Sequence, residues 1–213
     1  MTRILPGVLA MAIIVVASNI LVQFLILDGL LTWGAFTYPL AFLVTDVMNR
    51  VYGPAAARRV VFAGLVVGII CSLIGSQIML QGDGFTYPAV ALRIAIGSAT
   101  AFLIAQLLDI AVFDRLRAGS WWKAPLGSTL VGSTVDTVIF FSIAFASVFN
   151  RFSVSAAGEV TWAQDAAPFL NNGPDVPLWI SLAVADWAVK LSIALLALVP
   201  FRLIVGRIMA RAA

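Results

Sequence analysis

Hydrophobic and polar positions alternate along this chain on a scale of tens of residues. Six long apolar runs lie at roughly residues 5–27, 33–52, 58–80, 88–113, 125–149 and 177–201. Each approaches or exceeds the ~20 apolar residues that cross the hydrocarbon of a bilayer as a helix. The pattern predicts an all-α integral membrane protein, a bundle of six transmembrane helices forming one domain over residues 1–213. The first run follows Arg3 and resembles a signal sequence, but its apolar core continues past Ala17 to Leu27, longer than an ordinary signal core, so it reads as a retained helix.

Charge orients the runs. Alternate connections carry Arg3, then Arg58 and Arg59, then Arg115, Arg117 and Lys123, then Arg202, Arg207 and Arg211. The opposite set carries Asp28, then Asp83, then the segment 150–176, where Arg151 stands against Glu159, Asp165 and Asp175. Basic connections stay on the cytoplasmic side, so both termini are expected there and 150–176 is an outer loop rich in Pro, Gly and Asn. Trp33, Trp121, Trp122 and Trp179 fall near run ends, where interfacial anchors belong. FTYP occurs at 36–39 and again at 85–88, each time at the expected outer start of an even-numbered run, with the proline in the first turn. It hints at a hairpin repeat.

Composition sharpens the class. The chain is 62% hydrophobic and 11% charged, with mean hydropathy +1.05 and net charge +3. Soluble domains carry about 25% charged residues. There is no histidine, and Cys71 is the only cysteine, which excludes an intrachain disulfide, a zinc cluster and a thiol dyad. No phosphate loop precedes Lys123 or Lys190, and no nucleophile elbow occurs. The protein is therefore expected not to be an enzyme and to use no cofactor. An aspartyl dyad from Asp46 and Asp136 is conceivable but has no supporting motif.

The remaining signal is the polar content of the runs. A charge at the bilayer centre costs at least about 2.5–3.5 kcal/mol, so each one implies a partner or a cavity. Counting along the helices places Asp46, Asp136 and Asp186 near the midplane on three different runs. Asp46 has Arg50, and Asp186 has Lys190, one helical turn further on the same face. Arg93 lies nearer the outer side of run four, with Gln106 and Asp109 nearer the inner side. Asn19 and Gln23 share a face of run one. Structural ion pairs and interhelical hydrogen bonds account for part of this set. Three carboxylates at one depth favour a polar solute site, with Asp46 as a cargo ligand and Arg50 as its partner or a gate. Gly97, Ala101 and Ala105, Ser128 and Gly132, and Gly64 and Gly68 are spaced by four and read as close-packing faces.

The segments SNILVQ (18–23), TWGAFTYPLAFLVTDVMNRVYGPAAARRVVFAG (32–64), QLLDIAVFDRLR (106–117), STLVGSTVDTVIFFSIAF (128–145) and ADWAVK (185–190) resemble the queuosine precursor transporter family of bacterial inner-membrane proteins. The most specific part is T-D-x-x-x-R-x-x-G-x-x-x-A-R-R, from Thr45 to Arg59. The segment 150–176 carries no pattern of the family and looks longer than usual for it. The resemblance implies import of 7-cyano-7-deazaguanine, 7-aminomethyl-7-deazaguanine or both, for salvage into tRNA queuosine. Such a base presents N1–H beside an exocyclic amino group, and one carboxylate accepts from both. Asn19, Gln23, Lys190 or an arginine could donate to the ring carbonyl, and Phe36, Tyr38, Phe42, Phe140, Phe141 and Trp187 are candidate stacking faces. The expected partners are this small-molecule substrate and the lipid bilayer, with no nucleic acid; a homodimer is left open. Two mechanisms compete: a self-sufficient symporter or facilitator, and the substrate-binding module of an energy-coupling-factor transporter that needs ATPase partners.

Overall fold

The computed structural model describes residues 4–22, 24–27, 29–82, 86–152 and 159–212. Arg3, Gln23, Asp28, Asp83 and Phe85 lie outside the described residues. The helices are α1 (Leu5–Leu21), a single turn α2 (Gly34–Thr37), α3 (Leu40–Tyr52), α4 (Pro54–Gln77), α5 (Leu92–Leu116), α6 (Lys123–Phe145) and α7 (Leu178–Ala212). Four of them, α4, α5, α6 and α7, are long and apolar enough to cross a membrane; α1, with 17 residues, is shorter but equally apolar. The expected second span corresponds to α2 and α3 together, interrupted at Tyr38–Pro39, where proline supplies no N–H to the helical ladder.

Two kinds of connection alternate. Short antiparallel hairpins join α1 to α2 (β1 Leu25–Ile26, β2 Leu31–Thr32), α4 to α5 (β3 Met79–Gln81, β4 Thr86–Pro88) and α6 to α7 (β5 Ala166–Pro168, β6 Asp175–Pro177). On the other side the joints are tight. Gly53 alone separates α3 from α4, at φ +85° and ψ 171°, a region essentially reserved for glycine. Pro54 then opens α4, where its missing N–H costs nothing.

The second FTYP copy does not repeat the first. Thr86, Tyr87 and Pro88 form strand β4, and α5 begins only at Leu92, whereas Phe36 and Thr37 are helical. Pairing Tyr87 with Leu80 in the hairpin satisfies backbone groups that the first copy satisfies in a helix. The last helix is also longer than its apolar run, 35 residues with Pro200 inside it.

Close approaches fix the helix directions. A Cβ on Gly132 of α6 would meet Phe42 at 2.8 Å, Asp109 Cβ at 3.2 Å and the Ala105 carbonyl at 3.3 Å. One on Gly64 of α4 would meet Met11 of α1 at 2.5 Å. The small residues spaced by four are thus packing faces, and α5 runs antiparallel to α6, as Gly97 against Ala144 also requires. Apolar clusters close both ends of the bundle. Phe141, Ala144, Phe145, Val160 and Ala163 form one beneath the 147–177 segment, and Val47, Phe113, Ala124, Phe201 and Val205 form the other. The described part of this segment is tied to the helices: Gln164 donates to the Phe145 carbonyl at 2.8 Å, and the Leu170 amide donates to Ser181 at 3.1 Å.

Candidate functional site

Between the two apolar clusters lie two polar centres. The first is built by α6 and α7 with Tyr38 from the break between α2 and α3. Lys190 Nζ donates to Asp136 at 2.7 Å, to Asp186 at 2.5 Å and to Thr137 at 3.0 Å. Tyr38 donates to the other Asp136 oxygen at 2.8 Å, and its ring faces the ammonium at 5.4 Å. Thr137 also donates to Asp186 at 3.2 Å. Lys190 is 3% exposed, yet the Asp186 side chain is 16% exposed. One turn away, Trp187 Nε1 donates to Thr134 at 2.9 Å. The centre has two carboxylates, one ammonium and a net charge of −1. It offers acceptors, donors and an aromatic face within one cluster, which suits a planar heterocycle with both edges polar.

The second centre joins α3, α5 and α6. Asp46 accepts from Ser128 at 3.1 Å and Thr129 at 3.2 Å. Thr45 donates to Gln106 at 2.6 Å. Asp109, one turn from Gln106 on α5, is the neighbouring carboxylate of Asp46 and is fully buried. Neither Asp109 oxygen nor Gln106 Nε2 has a partner among the described residues. Beside Asp46, a cavity of about 10 Å³ runs between α3, α6 and α7, lined by Phe42, Pro125, Thr129 and Phe201. That is room for about one water, not for a purine base.

The structure therefore revises the expectation of three carboxylates meeting at one level. Asp136 and Asp186 do meet, bridged by Lys190. Asp46 instead contacts α6 at Ser128, eight residues before Asp136, or about 12 Å along the helix. Nor is Arg50 the partner of Asp46. It donates to the Arg117 carbonyl at 2.9 Å, while Arg117 returns bonds to the Asn49 carbonyl and, at 2.8 Å, to the Asn49 side chain. The cation at the end of α3 goes to the unpaired carbonyls of α5, and the reverse, because helix C-termini attract positive donors. Arg93 is likewise a cap. It is buried and donates to the carbonyls of Ile143 (2.7 Å) and Ala146 (2.5 Å) and to Asn150 (2.7 Å), at the end of α6. Asn19 bonds back to the Val15 carbonyl at 2.9 Å within its own helix, away from both centres. Gln23 lies outside the described residues. Of the aromatic candidates, Tyr38 and Trp187 adjoin the first centre, Phe42 is buried at the second, Phe140 and Phe141 belong to the apolar cluster beside Val160 and Ala163, and Phe36 is exposed.

Tyr38 as a hydroxyl donor, and Ser128 and Thr129 as carboxylate ligands, escape sequence reasoning. The hydroxyl pair stands two turns before Asp136 on the same helix, a spacing that signals a second polar level, but nothing in it names Asp46 as the partner.

Buried charged centres lie between membrane-length helices, and comparison with known proteins gives the class of protein they belong to. A family described as putative vitamin uptake transporter matches residues 32–205, so the chain is a transporter of that class and not an enzyme. It is 33% identical over 197 residues to the queuosine precursor transporter of Escherichia coli K12, covering 88% of this chain and 79% of that protein. It is 36% identical over 176 residues to a probable queuosine precursor transporter of Haemophilus influenzae, covering 79% of this chain and 66% of that protein. A probable queuosine precursor transporter of Bacillus subtilis is 30% identical over 132 residues, 55% of this chain and 58% of that protein. The chain belongs to the queuosine precursor transporter family and is a multi-pass protein of the bacterial inner membrane. No solved structure matches it.

Proposed function

We propose that this protein imports 7-deazaguanine bases, the cyano or aminomethyl precursors of queuosine, as a six-span bundle with both termini in the cytoplasm. The observation that carries the reading is the Asp136–Lys190–Asp186 centre, held by three separate segments of a chain whose relatives are named queuosine precursor transporters. Asp186 is the more exposed of the two carboxylates, so it meets the N1–H and amino edge of the base, while Lys190 donates to the ring carbonyl. Tyr38 and Trp187 supply flat faces. The alternation of hairpin connections with tight basic turns supports the orientation.

The test is uptake of labelled base by cells that depend on salvage, comparing wild type with Asp136→Asn and Asp186→Asn at equal membrane abundance. Loss of uptake is expected in both. Normal uptake by both variants would place the base elsewhere. Purified protein in liposomes, without ATP or other proteins, is expected to exchange labelled base. Tight base binding with no exchange would favour the energy-coupling-factor module instead.

A further inference from the structure

The second polar centre has no room for a base, and its two carboxylates are buried without a cation among the described residues. Asp46 and Asp109 are adjacent, 2% and 0% exposed, and form no ion pair among the described residues. Their hydrogen-bond supply is thin. Ser128 and Thr129 donate one bond each to Asp46, and the Ser128 hydroxyl also lies 3.3 Å from the Pro125 carbonyl, so its one hydrogen is contested. Asp109 receives no donor from the described residues, and Gln106 Nε2, buried one turn before it on α5, has no acceptor. A buried polar group without a partner is rare in a folded protein, and a functional role is one reason such a group is kept.

The cations that could neutralise the pair are engaged elsewhere. On α3, Arg50 bonds the end of α5; on α5, Arg117 bonds Asn49 and lies 3.3 Å from Asp114. On α7, Lys190 is held by Asp136 and Asp186, Arg202 lies over the Trp121 ring at 4.7 Å, and Arg207 and Arg211 are exposed, as is Arg115 on α5. Arg93 caps the far end of α6, Lys123 begins α6 against Trp122, and Arg58 and Arg59 lie in the first turns of α4. The described part of α1 carries no charge. Two bare carboxylates side by side without water or cation are strongly unfavourable, because neither has its charge solvated or paired.

We propose that Asp46 and Asp109 share one exchangeable proton, and that its passage from the outer to the inner side drives import of the base. This rests on the reading of the protein as a base importer. One carboxyl donates its O–H to the other carboxylate, leaving the pair at −1, equal in charge to the base centre about two turns away. On release the O–H bond breaks, the proton passes to water, and the pair is left fully ionised. A proton from the outer side restores it before the next cycle. The one-water cavity beside Asp46 and Thr129, bordered by Phe201, has room for the water that takes up the proton.

The experiment uses the purified full chain in liposomes with labelled 7-cyano-7-deazaguanine, which is uncharged, and an entrapped pH dye. With one unit of pH gradient, acid outside and no membrane potential, base should accumulate inside about tenfold, abolished by a protonophore. The dye should report proton entry with base. Asp109→Asn should still exchange labelled for unlabelled base without a gradient but should accumulate none, and Asp109→Glu should restore accumulation. Exchange without gradient-driven accumulation in the wild type overturns the proton, while leaving the import reading intact. So does accumulation driven by a sodium gradient at uniform pH and not by protons. Accumulation by Asp109→Asn equal to wild type overturns the site. No exchange by folded wild type refutes import itself. Should Asp109→Asn not fold, the wild-type gradient and dye measurements decide the proton, and Asp46→Asn, read by the same accumulation assay, decides the site.

Discussion

Lys190→Met is the most informative single change. It removes an ammonium that is 3% exposed and contacts two carboxylates, at 2.7 and 2.5 Å, and a hydroxyl at 3.0 Å. Methionine fills much of the volume, so packing loss is small. The electrostatic loss is not, because Asp136 and Asp186 then face each other unpaired. Removing one partner of a buried ion pair costs about 3–5 kcal/mol. The lower end is expected, because the partly exposed Asp186 can recruit water. At about 2–4 °C per kcal/mol for a chain of this size, the unfolding midpoint should fall by roughly 6–12 °C at that lower end. Thermal unfolding in a mild detergent, followed by tryptophan fluorescence, measures it. Adding Asp136→Asn to the variant removes one stranded charge and returns the centre to −1. The double variant should recover most of the lost stability yet still fail to take up base. An unshifted midpoint for Lys190→Met would show that the ammonium is not holding the two carboxylates. Wild-type uptake by the double variant would remove this centre from the transport path.

Two further predictions concern the frame around the centres. Gly53→Ala meets no atom within 4 Å, so its cost is purely that of backbone conformation at φ +85°, about 1–3 kcal/mol; a midpoint unchanged in the same unfolding assay would contradict that geometry. Arg93→Met strips the carbonyls of Ile143 and Ala146 and the side chain of Asn150 of a charged donor. It should lower the midpoint by an amount equivalent to about 1.5–3 kcal/mol, and protease should cut the 147–152 segment faster; equal cutting rates would show that the cap is dispensable.

The sequence was most legible where one physical rule decides the outcome. The apolar runs gave helices to within a few residues at α4 and α6, because hydrocarbon length and backbone satisfaction permit little else. The Asp186–Lys190 pair followed from one-turn spacing on a single helix. The same spacing misled at Asp46 and Arg50, because it says that two groups share a face and not which neighbour lies opposite. Arg50 sits in the last turn of α3, where the carbonyl of Arg117 competes for it and wins. The cap that Arg93 makes is hidden for the same reason, since a helix end 50 residues away in sequence cannot be read from its own helix. The split of the carboxylates into two levels depends on the vertical stagger of α3 against α6, which is set by packing at Gly132 and Phe42.

The length of α7 has a mechanical consequence. Lys190 lies 12 residues from Leu178, where the helix begins, and 22 from Ala212, where it ends. At ~1.5 Å per residue the two arms are about 18 and 33 Å long. A tilt of about 10° with Lys190 as fulcrum would shift the Leu178 end by about 3 Å and carry the Ala212 end through nearly 6 Å. Phe201 and Val205 ride on the longer arm, 11 and 15 residues from Lys190, so the same tilt moves them by about 3 and 4 Å against Val47, Phe113 and Ala124. A small adjustment where the ammonium grips its carboxylates is thus delivered to an apolar cluster one bundle-end away and reaches the end of the helix nearly doubled.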